Sequence, residues 1–255
     1  DILVVPDALG QKVWFEEGEG PKLEALTDPV QFGQLSRARL PERLAPVYEA
    51  IRLTRAALPA DTALLGFAGS PWTVATYMVA GQGSKDHAET RALAYSEPQK
   101  FGELIDAITA TTIDYLSKQI DAGVDAVQLF DSWAGSLSPA QFERWVIAPN
   151  AAIVSALRER HPDTPIIGFP KGAGAKLVAY AREVRPDALG LDETVDPVWA
   201  NAALPEGLPV QGNLDPLALM EGGKASESAV ARILAAFENR PHIFNLGHGI
   251  LQHTP

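Results

Sequence analysis

Six short, almost purely apolar runs recur along the chain, bounded by Gly, Pro or Asp, and most are followed by a longer segment of helical period. They are Ala63–Phe67, Val124–Phe130, Ile166–Phe169, Ala188–Leu191, Val210–Leu214 and Ile243–Leu246. A strand with one wet face alternates apolar and polar residues. These runs do not, so both of their faces must be covered, as in a parallel sheet flanked by helices.

The helical segments carry start and stop signals. Pro41 opens one whose face holds Leu44, Val47, Tyr48 and Ile51. Ser96 is placed to cap the next, with Phe101, Leu104, Ile105 and Ile108 as its stripe and Gly123 at its end. Ser138-Pro139, Asp196-Pro197 and Asp215-Pro216 each pair a capping residue with a first-turn proline. Pro149 is expected to break or kink the pattern before Ile153, Val154 and Leu157 resume it. The last helix is read on Val230, Ile233, Leu234 and Phe237.

Strand–helix units in this order mean a parallel α/β fold. Either a doubly wound sheet or a closed (β/α)8 TIM barrel satisfies them. The barrel is favoured, because polar or glycine-rich groups follow nearly every strand and barrel enzymes build their sites there. A doubly wound sheet gathers its site at one switch point. Six strands is two short of eight. With Asp1 leading straight into ILVVP, this points to missing strand–helix units at the N-terminus of a single domain spanning 1–255. The segment 11–29 fits neither buried strand nor helix and is read as an inserted β-hairpin.

Composition narrows the function. The 255 residues include no cysteine, so there is no disulfide, thiolate metal site or Cys nucleophile, which fits a reducing cytoplasm. A formal net charge of −11 argues against a nucleic-acid surface. No apolar run is long enough to span a bilayer. The five histidines include no helix-spaced pair, and no dinucleotide fingerprint follows a strand.

The strand exits hold the candidate chemistry. Gly66–Ser84 (GFAGSPWTVATYMVAGQGS) combines glycines with Trp72 and Tyr77 and reads as a pocket wall against a flat ligand. His248 lies between Gly247 and Gly249. Those glycines admit either a ligand or another backbone, and position alone does not decide which. Asp215 is read as a helix cap. Asp192 and Glu193 are either an acid–base pair or a cap with a buried arginine partner, the second being favoured. Ser132 is a better ligand-bonding hydroxyl than nucleophile, since no His lies nearby in sequence. Gly172–Lys176 (GAGAK) could cradle an anion.

These exits resemble those of the uroporphyrinogen decarboxylase family, in order and spacing. The matching segments are Asp1–Pro6 (DILVVP), Gly66–Ser84, Leu129–Gly135 (LFDSWAG), Gly168–Gly172 (GFPKG), Gln211–Pro216 (QGNLDP) and Asn245–Leu251 (NLGHGIL). Any one is weak; six in order are specific. The resemblance implies a (β/α)8 barrel, a cytoplasmic homodimer, and no metal or cofactor. It implies removal of CO2 from the four acetate side chains of uroporphyrinogen III, giving coproporphyrinogen III. It makes Asp1 the carboxylate at the centre of the macrocycle. Tyr77, Ser132 and His248 match other substrate-binding positions, and Phe130 an apolar wall of the cleft.

The resemblance also brings differences. Its substrate carries eight carboxylates, yet this chain is strongly acidic, and the family's RQAGRY-like arginine segment has no counterpart here. Lys171 and His248 alone look insufficient as a basic patch. The chain ends in LQHTP, where relatives read closer to LPETP, and a final helix is expected beyond it. The 255 residues alone are therefore expected to be inactive or nearly so, which a protein starting at Asp1 with full turnover would refute. Two rival readings stand beside this one. A zinc-dependent methyltransferase of the related cobalamin- or folate-linked barrel group lacks its cysteines here. A non-catalytic porphyrinogen-binding barrel would bind without releasing CO2.

Overall fold

The structure is a computed structural model that describes residues 2–16 and 20–255. Asp1, the residue on which the resemblance places the central carboxylate, lies outside the described residues.

A short helix α1 (Val4–Ala8) leads into β1 (Val13–Glu16) and β2 (Gly20–Leu23), which pair antiparallel within the segment expected to hold a hairpin. Helix α2 (Leu40–Ala57) follows. Six parallel strands then form one sheet: β3 (Leu65–Gly69), β4 (Ala126–Asp131), β5 (Ile166–Pro170), β6 (Ala188–Gly190), β7 (Val210–Leu214) and β8 (His242–Leu246). Their spatial order is their sequence order, with β3 and β8 at the edges. A sheet in which every strand neighbours its successor has no switch point, so the doubly wound alternative is excluded. The described residues supply six strands of the eight in the expected barrel.

Register divides the sheet into two faces. Val127, Leu129, Ile166, Leu189, Val210 and Leu214 point outward and are almost completely buried under helices. The other face carries Phe67, Gln128, Phe130, Phe169, Gly190, Gln211 and Asn245. The covering helices are α3 (Pro71–Ala80), α4 (Ala88–Ser96), α5 (Pro98–Asp121), α6 (Pro139–Phe142), α7 (Ala148–Arg160), α8 (Leu177–Val184), α9 (Pro197–Ala203), α10 (Pro216–Glu221) and α11 (Gly223–Ala236). In α5 the expected stripe of Phe101, Leu104, Ile105 and Ile108 is buried.

Several local expectations need correction. Strand β3 runs to Gly69 instead of ending at Phe67, because Ala68 and Gly69 pair with Leu129 and Phe130. Glycine's low strand propensity loses to that pairing. Ser96 is the last residue of α4, and Glu97 occupies the cap position of α5 without a side-chain bond. Ser138 makes no cap bond either; its hydroxyl meets Tyr95 Oη at 3.2 Å. Pro149 does not break the helix. A π turn at Glu143–Ile147 precedes α7, and the Ala148 N–H reaches back to the Glu143 carbonyl. That wide turn absorbs the proline, which has no N–H of its own. Leu234 is exposed, leaving Ile233 and Phe237 as the buried anchors of the last helix. Asp196 and Asp215 do cap: Asp196 accepts from the N–H groups of Val198 and Trp199, and Asp215 from that of Leu217.

Candidate active site

The glycines of Gly66–Ser84 mostly serve the protein's own packing. A Cβ on Gly66 would meet Gln119 Oε1, and that amide bonds Phe67 through both N–H and C=O. A Cβ on Gly69 would meet Val74 and Ile2. Gly81 ends α3 at φ +73°, a conformation that favours glycine, and its carbonyl receives the Leu23 N–H of the hairpin at 2.8 Å. Trp72 is wholly buried and donates from Nε1 to the Trp133 carbonyl at 3.1 Å. The pocket-wall reading of Trp72 is therefore corrected: it is core. Tyr77 remains half-buried, its ring centroid 6.5 Å from that of Trp133.

A cavity of about 360 Å³ opens on the inner face of the sheet, towards the C-terminal ends of the strands. One wall is aromatic. Phe130 and Phe169 line it, and with Phe67 behind them they come from three consecutive strands and meet edge to face, with centroids 5.9 and 5.8 Å apart. This geometry suits their ring quadrupoles. Phe169 lies against Gly190, where any Cβ would collide with its ring. The other side is polar. Gln211 Nε2 donates to Gln128 Oε1 at 3.3 Å, both buried, and Asn245 and His248 complete the rim. An apolar wall facing a few placed polar groups is the usual make-up of a small-molecule site.

His248 stands just beyond β8 and is exposed at the cavity mouth. Its two glycines divide the readings left open by the sequence. A Cβ on Gly247 would collide with the backbone of Glu193, so that glycine admits another strand exit. Gly249 faces open space. Desolvation, then the positive charge of Lys171, hold the His248 imidazole below its ordinary range, against the opposing pull of Glu193 and Asp192.

The turn after β6 ties the strand exits together. Asp192 accepts from the N–H of Gly172 at 2.8 Å and of Thr194 at 3.0 Å, and also from the Thr194 hydroxyl. Asn213 Nδ2 donates to the carbonyls of Asp192 and Val195 at 2.9 and 2.7 Å. Glu193 faces Lys171 at 3.8 Å, not the arginine expected for this pair. The GAGAK cradle is also corrected. Lys176 points away into the protein, donating to the Leu137 carbonyl at 2.7 Å and lying over the Phe142 ring. Gly172 packs backbone to backbone on Gly135.

Asp131, at the end of β4, points to the helix side. It is completely buried, and burial pushes its carboxyl up to about 7 despite bonds from Thr73 Oγ1 at 2.6 Å and Asn150 Nδ2 at 3.4 Å. It braces the strand exit that carries Ser132.

Of the residues singled out from sequence, Phe130 and His248 line one cavity. Tyr77 and Ser132 lie at the same end of the sheet, grouped about Trp133, and are not among the cavity's lining residues. Sequence reasoning missed Gln128, Gln211, Asn245 and Phe169. The signal for the first three was present: a side-chain amide inside each of the mostly apolar runs VQLFD, VQGNL and IFNL, the second holding Asn213 as well. Among the described residues no group of three or more His, Asp or Glu is placed to hold a metal.

The uroporphyrinogen decarboxylase family model matches residues 1–255. The chain belongs to the uroporphyrinogen decarboxylase family. It is 66% identical over 256 residues to a uroporphyrinogen decarboxylase of Sphingopyxis alaskensis, covering all of this chain and 74% of that protein. A uroporphyrinogen decarboxylase of Rhizorhabdus wittichii is 64% identical over 255 residues, again with 100% and 74% coverage. Among solved structures, a methyltransferase from Methanosarcina mazei superposes with a TM-score of 0.82 over 100% of this chain and 74% of that one. At 18% identity that likeness speaks for a TIM-barrel-like α/β fold alone. Family membership sets aside the methyltransferase alternative.

Proposed function

We infer that this chain decarboxylates uroporphyrinogen in tetrapyrrole biosynthesis, as a carboxy-lyase. The whole-chain family match carries the reading. The cavity supports it, since a macrocycle with apolar faces and polar edges needs an aromatic wall opposite amide and imidazole groups.

The chemistry gives each proposed residue a task. Losing CO2 from an acetate on a pyrrole needs an electron sink. Protonating the ring carbon first supplies one, as a cationic intermediate. Asp1 is the carboxylate proposed to stabilise that cation while accepting the pyrrole N–H groups. A unit charge pair at ~4 Å is worth ~4 kcal/mol at an effective dielectric near 20. That amounts to about three powers of ten in rate, provided it acts on the transition state more than on the neutral substrate. Phe130 forms the wall against which the macrocycle rests. His248, held neutral near pH 7, offers one N–H and one lone pair at the mouth. Tyr77 and Ser132 supply hydroxyls from the adjoining exits.

A cytoplasmic homodimer belongs to the same reading and is supported by the family resemblance and by the absence of cysteine. Sedimentation of the full-length chain tests the dimer. The catalytic assignment is tested by Asp1→Asn in the full-length chain. Turnover is expected to fall by about 10³ with substrate affinity largely kept. Unaffected turnover would remove Asp1 from the mechanism.

A further inference from the structure

Lys171 and Glu193 make an incompletely satisfied charge pair beside the cavity. Lys171 Nζ stands 3.8 Å from Glu193 Oε1, beyond hydrogen-bond length. Both side chains are mostly withdrawn from water, at 22% and 24% exposure. Glu193 Oε2 is buried and meets no donor among the described residues. Buried carboxylates ordinarily collect donors on both oxygens, so this arrangement is costly as it stands. Lys176, at the end of the same glycine loop, shows the contrast, with a 2.7 Å bond to the Leu137 carbonyl and the Phe142 ring beneath it. Among the described residues Lys171 has no such bond.

The pair is also in the right place. Lys171 follows β5 and Glu193 follows β6, next to the mouth held by His248, whose ring feels both charges. The formal net charge of −11 makes a cation here valuable to a ligand with several carboxylates.

We propose that Lys171 receives a side-chain carboxylate of the tetrapyrrole, and that Glu193 holds Lys171 in reserve until the substrate displaces it. This rests on the decarboxylase reading above. The carboxylate so held is one that does not react in that turnover. An ion pair stabilises a carboxylate in the ground state and opposes loss of its CO2. Lys171 is thus a positioning residue: its contribution is made equally to bound substrate and transition state, and it moves KM more than kcat.

The test is steady-state kinetics of the full-length chain with uroporphyrinogen III. Glu193→Gln removes the competitor, and KM is expected to fall about threefold with kcat nearly unchanged. Lys171→Met is expected to raise KM by about tenfold or more, the usual worth of a charge-assisted bond. Lys171→Arg keeps most of the affinity. In the double variant the gain from Glu193→Gln disappears. A Glu193→Gln protein, folded by circular dichroism, whose KM is unchanged or higher overturns the proposal. So does a Lys171→Arg protein as weak as Lys171→Met. Should Lys171→Met not fold, the Glu193→Gln result decides alone. Wild-type protein that fails to release CO2 would refute the decarboxylase reading instead.

Discussion

Gln211 donates a hydrogen bond to Gln128 at 3.3 Å, although β7 and β4 are three strand positions apart. In a flat sheet three spacings separate such residues by about 14 Å, and their side chains stand parallel. They meet here only because the sheet curls strongly about its inner face. The bond thus reports the curvature that makes the cavity, and it is buried, so each amide depends on the other.

Removing one amide should cost more than removing both. Gln128→Leu leaves Gln211 Nε2 buried without an acceptor and is expected to destabilise the protein by about 1–3 kcal/mol in urea unfolding. The Gln128→Leu/Gln211→Leu pair should cost less than the sum of the single changes. Strict additivity would mean that the two side chains do not meet.

Asp131 should leave a mark on stability against pH. Its carboxyl is raised to about 7, so the folded state binds a proton that the unfolded state has released between roughly pH 4 and 7. Stability is therefore greatest at the acid side of that window, falls as pH rises through it, and levels off above about 7. The loss has an upper bound of about 4 kcal/mol for a carboxyl raised from the ordinary range to about 7. Asn150 can support the protonated form, because its Oδ1 is buried without a partner among the described residues and an amide flip would let it accept. Asp131→Asn should flatten this part of the profile. Urea midpoints at pH 5 and pH 8 read the effect, and an unchanged slope in the variant would contradict it.

The His248 ring should titrate below the ordinary histidine range. Lys171 lowers it, so Lys171→Met should move the titration upward; Glu193 raises it, so Glu193→Gln should move it down. The acid limb of kcat/KM should follow in the same directions if the neutral imidazole is the active form. NMR of the imidazole protons measures the shifts without requiring turnover. Shifts of opposite sign would break the electrostatic account of the cavity mouth.

Much of the fold could be read from residues because one rule governs it. A buried parallel strand must be apolar on both faces, and all six runs became strands. Val210–Leu214 kept its bounds, while Ala63–Phe67 slid by two residues because glycine was read as an exit where pairing continued. The proline caps at Asp196 and Asp215 were equally plain, being local. Purpose was harder to read where a residue's partner lies far away in sequence. A glycine in Gly66–Ser84 looks the same whether it admits a ligand or Gln119. Lys176 and Lys171 look interchangeable until one bonds Leu137 and the other faces Glu193. Gln128 and Gln211 are 83 residues apart, and only the curled sheet brings them together.

The reaction assigned to this chain is removal of CO2 from the acetate groups of uroporphyrinogen. Anaerobic incubation of the full-length chain with uroporphyrinogen III, followed by oxidation and chromatography of the porphyrins, tests it most directly. Conversion through partly decarboxylated species to the tetracarboxylic coproporphyrin is expected, with one CO2 for each acetate lost. Uroporphyrin recovered intact, from protein that is folded and binds it, would contradict a decarboxylase.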